Sequence, residues 1–453
     1  MNQEKYIAAI EIGSSKIVGA VGRHTPSGRL DVIAVEQEHA LESVCHGIIH
    51  NVEETASRIT RILERLTART GVAPRLIKRV YVGLGGRSLR NVPKDIMRPL
   101  PDDTEITYEI LDKMTEEARR SQIDVTLEVI DAIPASYLVN NTETKSPVGT
   151  FGNNIRVHYQ LLAARPLLRK HLMRVVRDKA GMEVAGIVVT PVAVADLILS
   201  DDERRLGCML VDMGAETTTV SIYQEGALHY LAVLPMGSRN ITRDITSLSV
   251  LEREAEEVKT SSGNAIPSDN PSTLNINGMR LSDVANIVVA RSEEIVANII
   301  EQINYAGITA KQLSGGIIAV GGGFNLNRMA DLLHRQSALK VRRGSLPSFV
   351  TLEDTKAPTY ETIEVISIMN AGAAPEAPDC LEMPEAREEL PHNDDYNADY
   401  DYDEDERRQE QRRQERRRKT QARENKNRTR LKWISNKLAG MFKSDEDDDA
   451  EID

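Results

Sequence analysis

The chain has 453 residues, of which 40% are hydrophobic, 28% charged and 4% aromatic, and its formal net charge is −12. This length suggests two to four domains, and the acidic balance argues against a globally basic nucleic-acid-binding protein. The three cysteines are far apart and form no metal-binding spacing, which fits a reducing compartment. We recognise no secretion signal and no apolar run of membrane-spanning length, so we expect a cytosolic protein whose membrane contact is at most peripheral.

Short β-rich runs alternate with amphipathic stretches up to about residue 374, which is typical of an α/β fold. A group of three strands occurs twice, each time followed by a helix, at 6–12, 16–22 and 31–37 and again at 207–214, 218–224 and 227–235. Further strands are predicted at 79–85, 155–164 and 317–323. Helices are predicted at 52–70, 108–120, 166–180, 191–200, 239–263, 281–306 and 325–336. The recurrence predicts a duplicated β-β-β-α unit.

The composition changes abruptly after Ala374. Residues 394–406 hold eight acids among thirteen residues, and 407–432 hold thirteen Lys or Arg against three Glu. Opposed charge blocks with few apolar residues cannot offset the entropy of ordering, so we predict a disordered linker over 375–428. A solitary helix is an alternative for its basic half, because these residues are good helix formers.

A first candidate site lies where the first strand ends at a carboxylate and turns into the second strand, through Glu11, Gly13, Ser14, Ser15 and Lys16. The backbone N–H groups of such a turn can hold phosphate oxygens. The carboxylate at the strand end can hold Mg²⁺ through water. Taken alone, the segment favours a plain hairpin over a phosphate site.

A second candidate site repeats this arrangement in the other strand group, with Asp212, Gly214, Thr217, Thr218 and Thr219. Two such hairpins facing each other would clamp the phosphates of a nucleotide between two similar domains. Two copies at corresponding positions of a duplicated unit are far more specific than one copy. The sequence therefore predicts a nucleotide clamp, in which Asp212 is a second candidate for Mg²⁺.

A third candidate site is a glycine triplet after an apolar strand, before a helix expected near residue 325. It consists of Gly321, Gly322 and Gly323. Glycines let the backbone approach a flat group such as an adenine or a ribose closely.

A fourth candidate site is the pair Glu256 and Lys259, which lie one helical turn apart. These two side chains can reach ribose hydroxyls or base edges. The alternative is a surface ion pair.

In this order, the four segments resemble the phosphate-1, phosphate-2 and adenosine motifs of the actin-like ATPase superfamily. The chain is similar in particular to the FtsA family of bacterial cell-division proteins, from Tyr6 to Ala374 and again at the extreme C-terminus. The stretch 133–152, with its Pro-Val-Gly at 147–149, is typical of that family. The resemblance implies an actin-like two-lobed fold of duplicated ribonuclease-H-like domains, with ATP and Mg²⁺ in the cleft. It also adds Gly237 to the nucleotide-binding residues.

The resemblance also implies a domain organisation, with an FtsA-type subdomain inserted into the first lobe. The first lobe would comprise 1–85, 163–205 and 358–374. The inserted subdomain would cover 86–162, and the second lobe 206–357, with a smaller subdomain at 246–305. A 375–428 linker, a 429–443 membrane-targeting helix and an acidic 444–453 tail would follow.

As a member of this family, the protein would assemble with itself head to tail and bind the tubulin-like FtsZ at its second lobe. It would tether FtsZ filaments to anionic lipids on the cytoplasmic side of the inner membrane, at the division septum. Downstream division proteins would be further partners, and nucleic acid would not be one.

The phosphate-2 segment departs from the superfamily pattern. Ala215 and Glu216 stand where two glycines are usual, and Thr219 stands where a further acid is often found. Glu11 replaces the usual Asp of phosphate-1, which FtsA-type sequences tolerate. A Cβ at each former glycine narrows the approach to the γ-phosphate, and Glu216 is expected to add like charge there. We therefore expect ATP binding with weak or absent hydrolysis, and assembly and tethering rather than catalysis as the main role.

The C-terminal segment 429–443 stands out from the polar tail. One helical stripe gathers its apolar side chains, with Trp433 away from the centre of the stripe and cations beside it. The stripe consists of Leu431, Ile434, Leu438, Met441 and Phe442. Such a helix is typical of binding to anionic lipid, and the resemblance implies the same role. The alternative is docking on the globular body.

Three other classes of superfamily protein are alternatives. A sugar or acid kinase needs a general base for its substrate, and no such residue is evident. A chaperone of the heat-shock type would need a substrate-binding β-domain that has no counterpart here. An MreB-like or PilM-like scaffold protein is the main alternative. However, MreB lacks the insertion at 86–162, and PilM lacks the long charged linker with its terminal helix.

Overall fold

The computed structural model describes residues 5–25, 27–71, 75–267, 275–276, 278–353, 361–373 and 377–383. By its contacts the chain divides into Met1–Pro384 and Glu385–Asp453, and the described residues all belong to the first unit. The helix predicted at 429–443, the acidic tail and the predicted linker beyond residue 383 lie outside them. No helix within the described part of the chain is long and apolar enough to cross a membrane.

The first lobe is built on a six-stranded sheet. Its strands, in spatial order, are Glu183–Val189, Arg79–Leu84, Lys5–Ile12, Lys16–His24, Leu30–His39 and Val350–Leu352. Helices cover both faces of this sheet. A Cβ added at Gly19 would overlap Ile62 of one helix, and a Cβ at Gly22 would lie 2.6 Å from Met369 of another. This double cover explains why the predicted strands are almost continuously apolar.

The second lobe repeats the first. Its five strands, in spatial order, are Ala227–Leu234, Thr218–Gln224, Cys208–Met213, Gly316–Val320 and Val341–Arg343. In each lobe an antiparallel three-stranded meander is followed by two parallel strands, in the same spatial order. The predicted duplication is confirmed.

The inserted subdomain is a four-stranded sheet with one covering helix, Tyr108–Arg119. Its strands, in spatial order, are Thr142–Thr144, Glu128–Val139, Phe151–Ala164 and Arg90–Glu105. The sequence did not predict the first, second and fourth of these. Arg90–Glu105 contains three prolines and its side chains are mostly exposed, so it lacks the apolar alternation from which a strand is recognised.

The remaining helices broadly follow the predictions, but Asp201–Leu206 was not predicted, the helix predicted at 325–336 begins later, and the one predicted at 239–263 is divided. They are Val52–Arg69, Pro166–Met173 with its π-helical extension Arg174–Lys179, Thr190–Ile198, Asp201–Leu206, Ser238–Ile245, Glu252–Ser262, Leu281–Tyr305, Met329–Ser337 and Ile363–Ala371. The single helix predicted at 239–263 is wrong, because a 3₁₀ turn and a left-handed Ser249 (φ 62°) interrupt it. Ser and Thr at 246–249 favour such a turn, since their side chains compete for backbone hydrogen bonds.

Short elements complete the described chain. They are the 3₁₀ turns Leu41–Ser43, Thr246–Leu248, Ala310–Gln312 and Gly322–Asn325, and the strand pairs Val44–Cys45 with Ile48–Ile49, Asn275–Ile276 with Met279–Arg280, and Leu76–Ile77 with Leu381–Glu382.

Residues 377–383 belong to the first lobe, so the predicted linker is wrong over this stretch. The Cys380 N–H donates to the Tyr6 carbonyl, and the Cys380 carbonyl accepts from the Lys78 N–H, both at 2.9 Å. Cys380 and Leu381 are buried. An apolar pair this short is easily missed inside a stretch rich in Pro and Glu.

Candidate functional site

The two predicted hairpin turns have the same geometry. Strand pairing ends at Ile12–Ile17 in the first lobe and at Met213–Thr218 in the second, which leaves four-residue turns at 13–16 and 214–217. The Gly13 N–H donates to the Lys16 carbonyl at 3.0 Å, and the Gly214 N–H donates to the Thr217 carbonyl at 2.8 Å. The duplication therefore extends to the turns themselves.

Neighbouring segments hold the first turn through its backbone and its side chains. The Ser14 hydroxyl accepts from the Gly47 N–H at 2.9 Å, and the Ser15 carbonyl accepts from the Ala40 N–H at 2.9 Å. The Lys16 ammonium pairs with the Glu361 carboxylate at 2.7 Å. Lys16 is thus a charge-compensated cation, although the sequence placed it among the phosphate-binding residues.

Three half-buried carboxylates converge between the lobes. Glu11 and Asp212 stand at equivalent strand ends, and Glu364 lies in the first turn of the helix Ile363–Ala371. Burial, then the charge of Glu364, raises the pKa of Glu11 to about 8. Burial, then the charges of Glu364 and Glu11, raises the pKa of Asp212 well above its ordinary value. Burial also raises the pKa of Glu364. Each of the three residues remains partly exposed to solvent.

This group of carboxylates suits a hydrated divalent cation. The charge of Lys16 compensates Glu11 and Glu364 only in part. Neighbouring carboxylates are a donor set that Mg²⁺ favours, and Mg²⁺ commonly keeps several of its waters. Within the described ranges, no three His, Cys, Asp or Glu side chains are close enough to bind one metal ion directly. The arrangement therefore fits contact through water. Sequence reasoning missed Glu364, since no local pattern marks that helix as part of a site.

Glu216 is not the uncompensated charge that the sequence led us to expect. Its side chain is 1% exposed and accepts hydrogen bonds from Arg239 at 3.1 Å, Arg243 at 2.6 Å and the His46 N–H at 2.8 Å. Burial raises the pKa of Glu216, but the His46 amide and Arg239 outweigh burial and hold it below its ordinary value. The expectation of uncompensated charge is wrong, because both arginines come from a helix that folds back onto the turn.

Gly237 lets that helix, Ser238–Ile245, reach the second turn. A Cβ at Gly237 would lie 2.6 Å from the Gly214 carbonyl oxygen and from the carbonyl atoms of Ala215. The Ser238 N–H donates to the Gly214 carbonyl at 3.0 Å, and the Arg239 N–H donates to the Ala215 carbonyl at 2.7 Å. Close backbone packing thus requires glycine at this position.

The three glycines at 321–323 differ in their surroundings. Gly321 has a φ of +86°, and a Cβ there would overlap the Asp212 carboxylate. A Cβ at Gly323 would overlap the Met213 side chain, whereas Gly322 has no atom within 4 Å of its Cβ position. The outer two glycines serve packing, and Gly322 faces open space.

The helix predicted to begin near Asn325 begins later. The 3₁₀ turn Gly322–Asn325 precedes it, and the α-helix begins at Met329.

Glu256 and Lys259 form a link between two helices rather than an isolated surface pair. Lys259 is 5% exposed, and its ammonium contacts the Glu256 carboxylate at 2.7 Å and donates to the Thr242 hydroxyl at 2.9 Å. Burial lowers the pKa of Lys259, against the effect of Glu256. Thr242 belongs to Ser238–Ile245, so the pair supports the helix that docks on the second turn.

Two family models match the chain. One, described as "Cell division protein FtsA", matches residues 209–364, and the other, "SHS2 domain inserted in FTSA", matches residues 86–163. The cell division protein FtsA of Porphyromonas gingivalis is 32% identical over 350 residues, covering 74% of this chain and 72% of the relative. That of Bacillus subtilis is 27% identical over 375 residues, covering 80% and 82%.

A solved structure supports the fold. The PilM-PilN type IV pilus biogenesis complex aligns with a TM-score of 0.58 over 82% of this chain and 99% of that chain, at 16% identity. At this identity the likeness shows the fold alone. The predicted fold class, a two-lobed actin-like fold with an inserted subdomain, is confirmed.

Proposed function

This chain belongs to the FtsA family of cell-division proteins, and from that premise we propose that it binds ATP between its lobes, assembles with itself and tethers FtsZ filaments to the cytoplasmic membrane at the division septum. The observation that carries the nucleotide part is the pair of equivalent turns at 13–16 and 214–217. Their backbone N–H groups are the phosphate-binding groups of this proposal.

We assign the rest of the nucleotide site by position. Glu11, Asp212 and Glu364 would hold Mg²⁺ through its waters, and this ion would neutralise phosphate charge. Gly322 would lie against the flat part of the nucleotide, because its surroundings are open. Glu256 and Lys259 would support the ribose side through the helix Ser238–Ile245.

The tether is assigned to the C-terminal segment. Residues 377–383 hold the chain on the first lobe, and 384–428 then separate this anchor from the apolar stripe at 429–443. This separation allows at most about 160 Å of extended chain. Anionic lipids are the surface that the stripe and its cations favour. Head-to-tail assembly and contacts with downstream division proteins are the further roles that family membership supports.

The tether can be tested by co-sedimentation of FtsZ filaments with anionic vesicles. We expect filaments to pellet with vesicles in the presence of the full chain and MgATP, and to stay in the supernatant when the chain ends at residue 428. FtsZ without this protein is the control. Equal pelleting with the full and the shortened chain would overturn the tethering proposal.

We expect ATP to be hydrolysed slowly or not at all. Glu216 is engaged by Arg239, Arg243 and His46, so this acid is not available to orient a water molecule at the γ-phosphate. The steady-state release of phosphate should stay below about 1 s⁻¹, the low end of typical enzyme turnover. A faster rate would show that the changed phosphate-2 residues are harmless to catalysis.

A further inference from the structure

One carboxylate connects the two lobes at the phosphate-binding turns. His46 lies in the first lobe, between the strands Val44–Cys45 and Ile48–Ile49, and Glu216 lies in the second turn. The His46 N–H donates to Oε2 of Glu216 at 2.8 Å, and the His46 Nδ1–H donates to the Glu216 carbonyl at 2.9 Å. Two hydrogen bonds therefore join the same two residues across the lobes.

The other carboxylate oxygen is held from within the second lobe. Oε1 of Glu216 accepts from Arg239 at 3.1 Å and from Arg243 at 2.6 Å, which lie one turn apart on the helix Ser238–Ile245. Arg239 also donates to the carbonyl of Ser14, in the first turn, at 3.4 Å. The carboxylate and its arginines thus link both turns, the His46 loop and one helix.

Because Glu216 is buried, its interlobe hydrogen bonds should be lost together rather than one at a time. Glu216 is 1% exposed, and a buried carboxylate is tolerated only where charges and hydrogen bonds compensate it. Separation of the lobes would remove the His46 donor and the contact of Arg239 with Ser14 together. A glycine at position 216, the usual residue of the motif, would offer no side chain for these bonds.

We propose that Glu216 is an interlobe latch that holds the two phosphate-binding turns together without nucleotide. The nucleotide then enters a site whose turns are already in place, and lobe closure does not depend on a γ-phosphate. Any assembly surface that forms on closure is available to the nucleotide-free chain. This inference goes beyond ATP binding, because the latch acts whether or not a nucleotide is present.

The test is hydrogen–deuterium exchange on the full chain without nucleotide, in the wild type and in Glu216→Gln and Glu216→Ala. The His46 amide is itself a donor in the latch, so its exchange reports opening directly. We expect peptides covering 44–49 and 214–218 to exchange at least tenfold faster in both variants. Added MgATP should restore the protection of 44–49 in the variants and change that peptide little in the wild type. It should protect 214–218 in all three chains, because the proposed site binds phosphate through the N–H groups of that turn.

Two further variants separate a latch from a general loss of stability. Glu252→Gln is the matched control, because Glu252 is 57% exposed and pairs with Arg239 at 3.6 Å within the second lobe. This substitution removes the same charge but should leave the exchange of 44–49 unchanged. Arg243→Gln removes a latch donor whose side chain is 49% exposed, so the fold should tolerate it and the same two peptides should exchange faster.

Unchanged exchange at 44–49 in folded Glu216→Gln and Arg243→Gln would overturn the latch. A uniform rise across both sheets would also overturn it, because Glu216 would then serve folding alone. A chain that showed the predicted exchange without nucleotide but no response to MgATP would support the latch and contradict the proposed ATP site.

Discussion

MgATP is expected to raise the melting temperature of the wild-type chain and to leave that of Gly322→Asp unchanged. A ligand at 100-fold saturation stabilises the folded state by about 2.7 kcal/mol, which corresponds to roughly 3 °C for a body of this size. Gly322 has no atom within 4 Å of its Cβ position. An Asp there therefore fits the fold but places bulk and negative charge where the nucleotide would lie. Differential scanning fluorimetry measures both shifts.

Substitutions at Gly322 and at two other glycines of the predicted site provide the controls for this prediction. Gly322→Ala adds an uncharged Cβ in open space, so it should reduce the shift less than Gly322→Asp does. Gly321→Ala should lower the melting temperature with or without ATP, because its φ is +86° and its Cβ would overlap the Asp212 carboxylate. Gly214→Asp should also abolish the shift, with a Cβ 3.2 Å from the Thr217 carbonyl. No response of the wild type to MgATP would contradict the nucleotide clamp.

The second large effect is expected at the C-terminal stripe, where replacing Ile434 and Leu438 with Asp should abolish co-sedimentation with anionic vesicles. Each substitution removes an apolar side chain worth about 1.5–3 kcal/mol when buried. Together they should lower the affinity at least about a hundredfold. Binding of the wild type should weaken with salt, through screening, and strengthen on assembly, because several weak anchors then act together.

The matched control adds the same two charges to the opposite face of the predicted helix, through Thr429→Asp and Asn436→Asp. This pair should cost much less than the double change in the stripe. Lys437→Ala should also cost less, since one cation near the lipid surface contributes about 1 kcal/mol. If the double Asp change in the stripe leaves vesicle binding intact, the stripe must instead dock on the body or on a partner.

Features encoded by neighbouring residues could be predicted from the sequence. The two meanders, with their turns at 13–16 and 214–217, rest on apolar strands joined by short segments with a glycine, so each copy is recognisable within about thirty residues. The strand Arg90–Glu105 was not predicted, because its prolines and exposed side chains remove the alternation of apolar and polar residues that marks a strand. The packing of residues 377–383 on the first lobe was also not predicted, because two buried residues form too short an apolar pattern to be recognised.

The sequence by itself determined the α/β class, the duplication and the two turns, since each follows from local apolar patterns and their repetition. The two-lobed actin-like fold was implied by the family resemblance. Only the tertiary structure decided how the charges around the turns are compensated. Lys16 meets Glu361 across 345 positions, and His46 meets Glu216 across 170. The pair Glu11 and Asp212 likewise gains Glu364 from a helix near the end of the body. Such partners depend on how the two lobes pack, and no local pattern of apolar and polar residues encodes that packing.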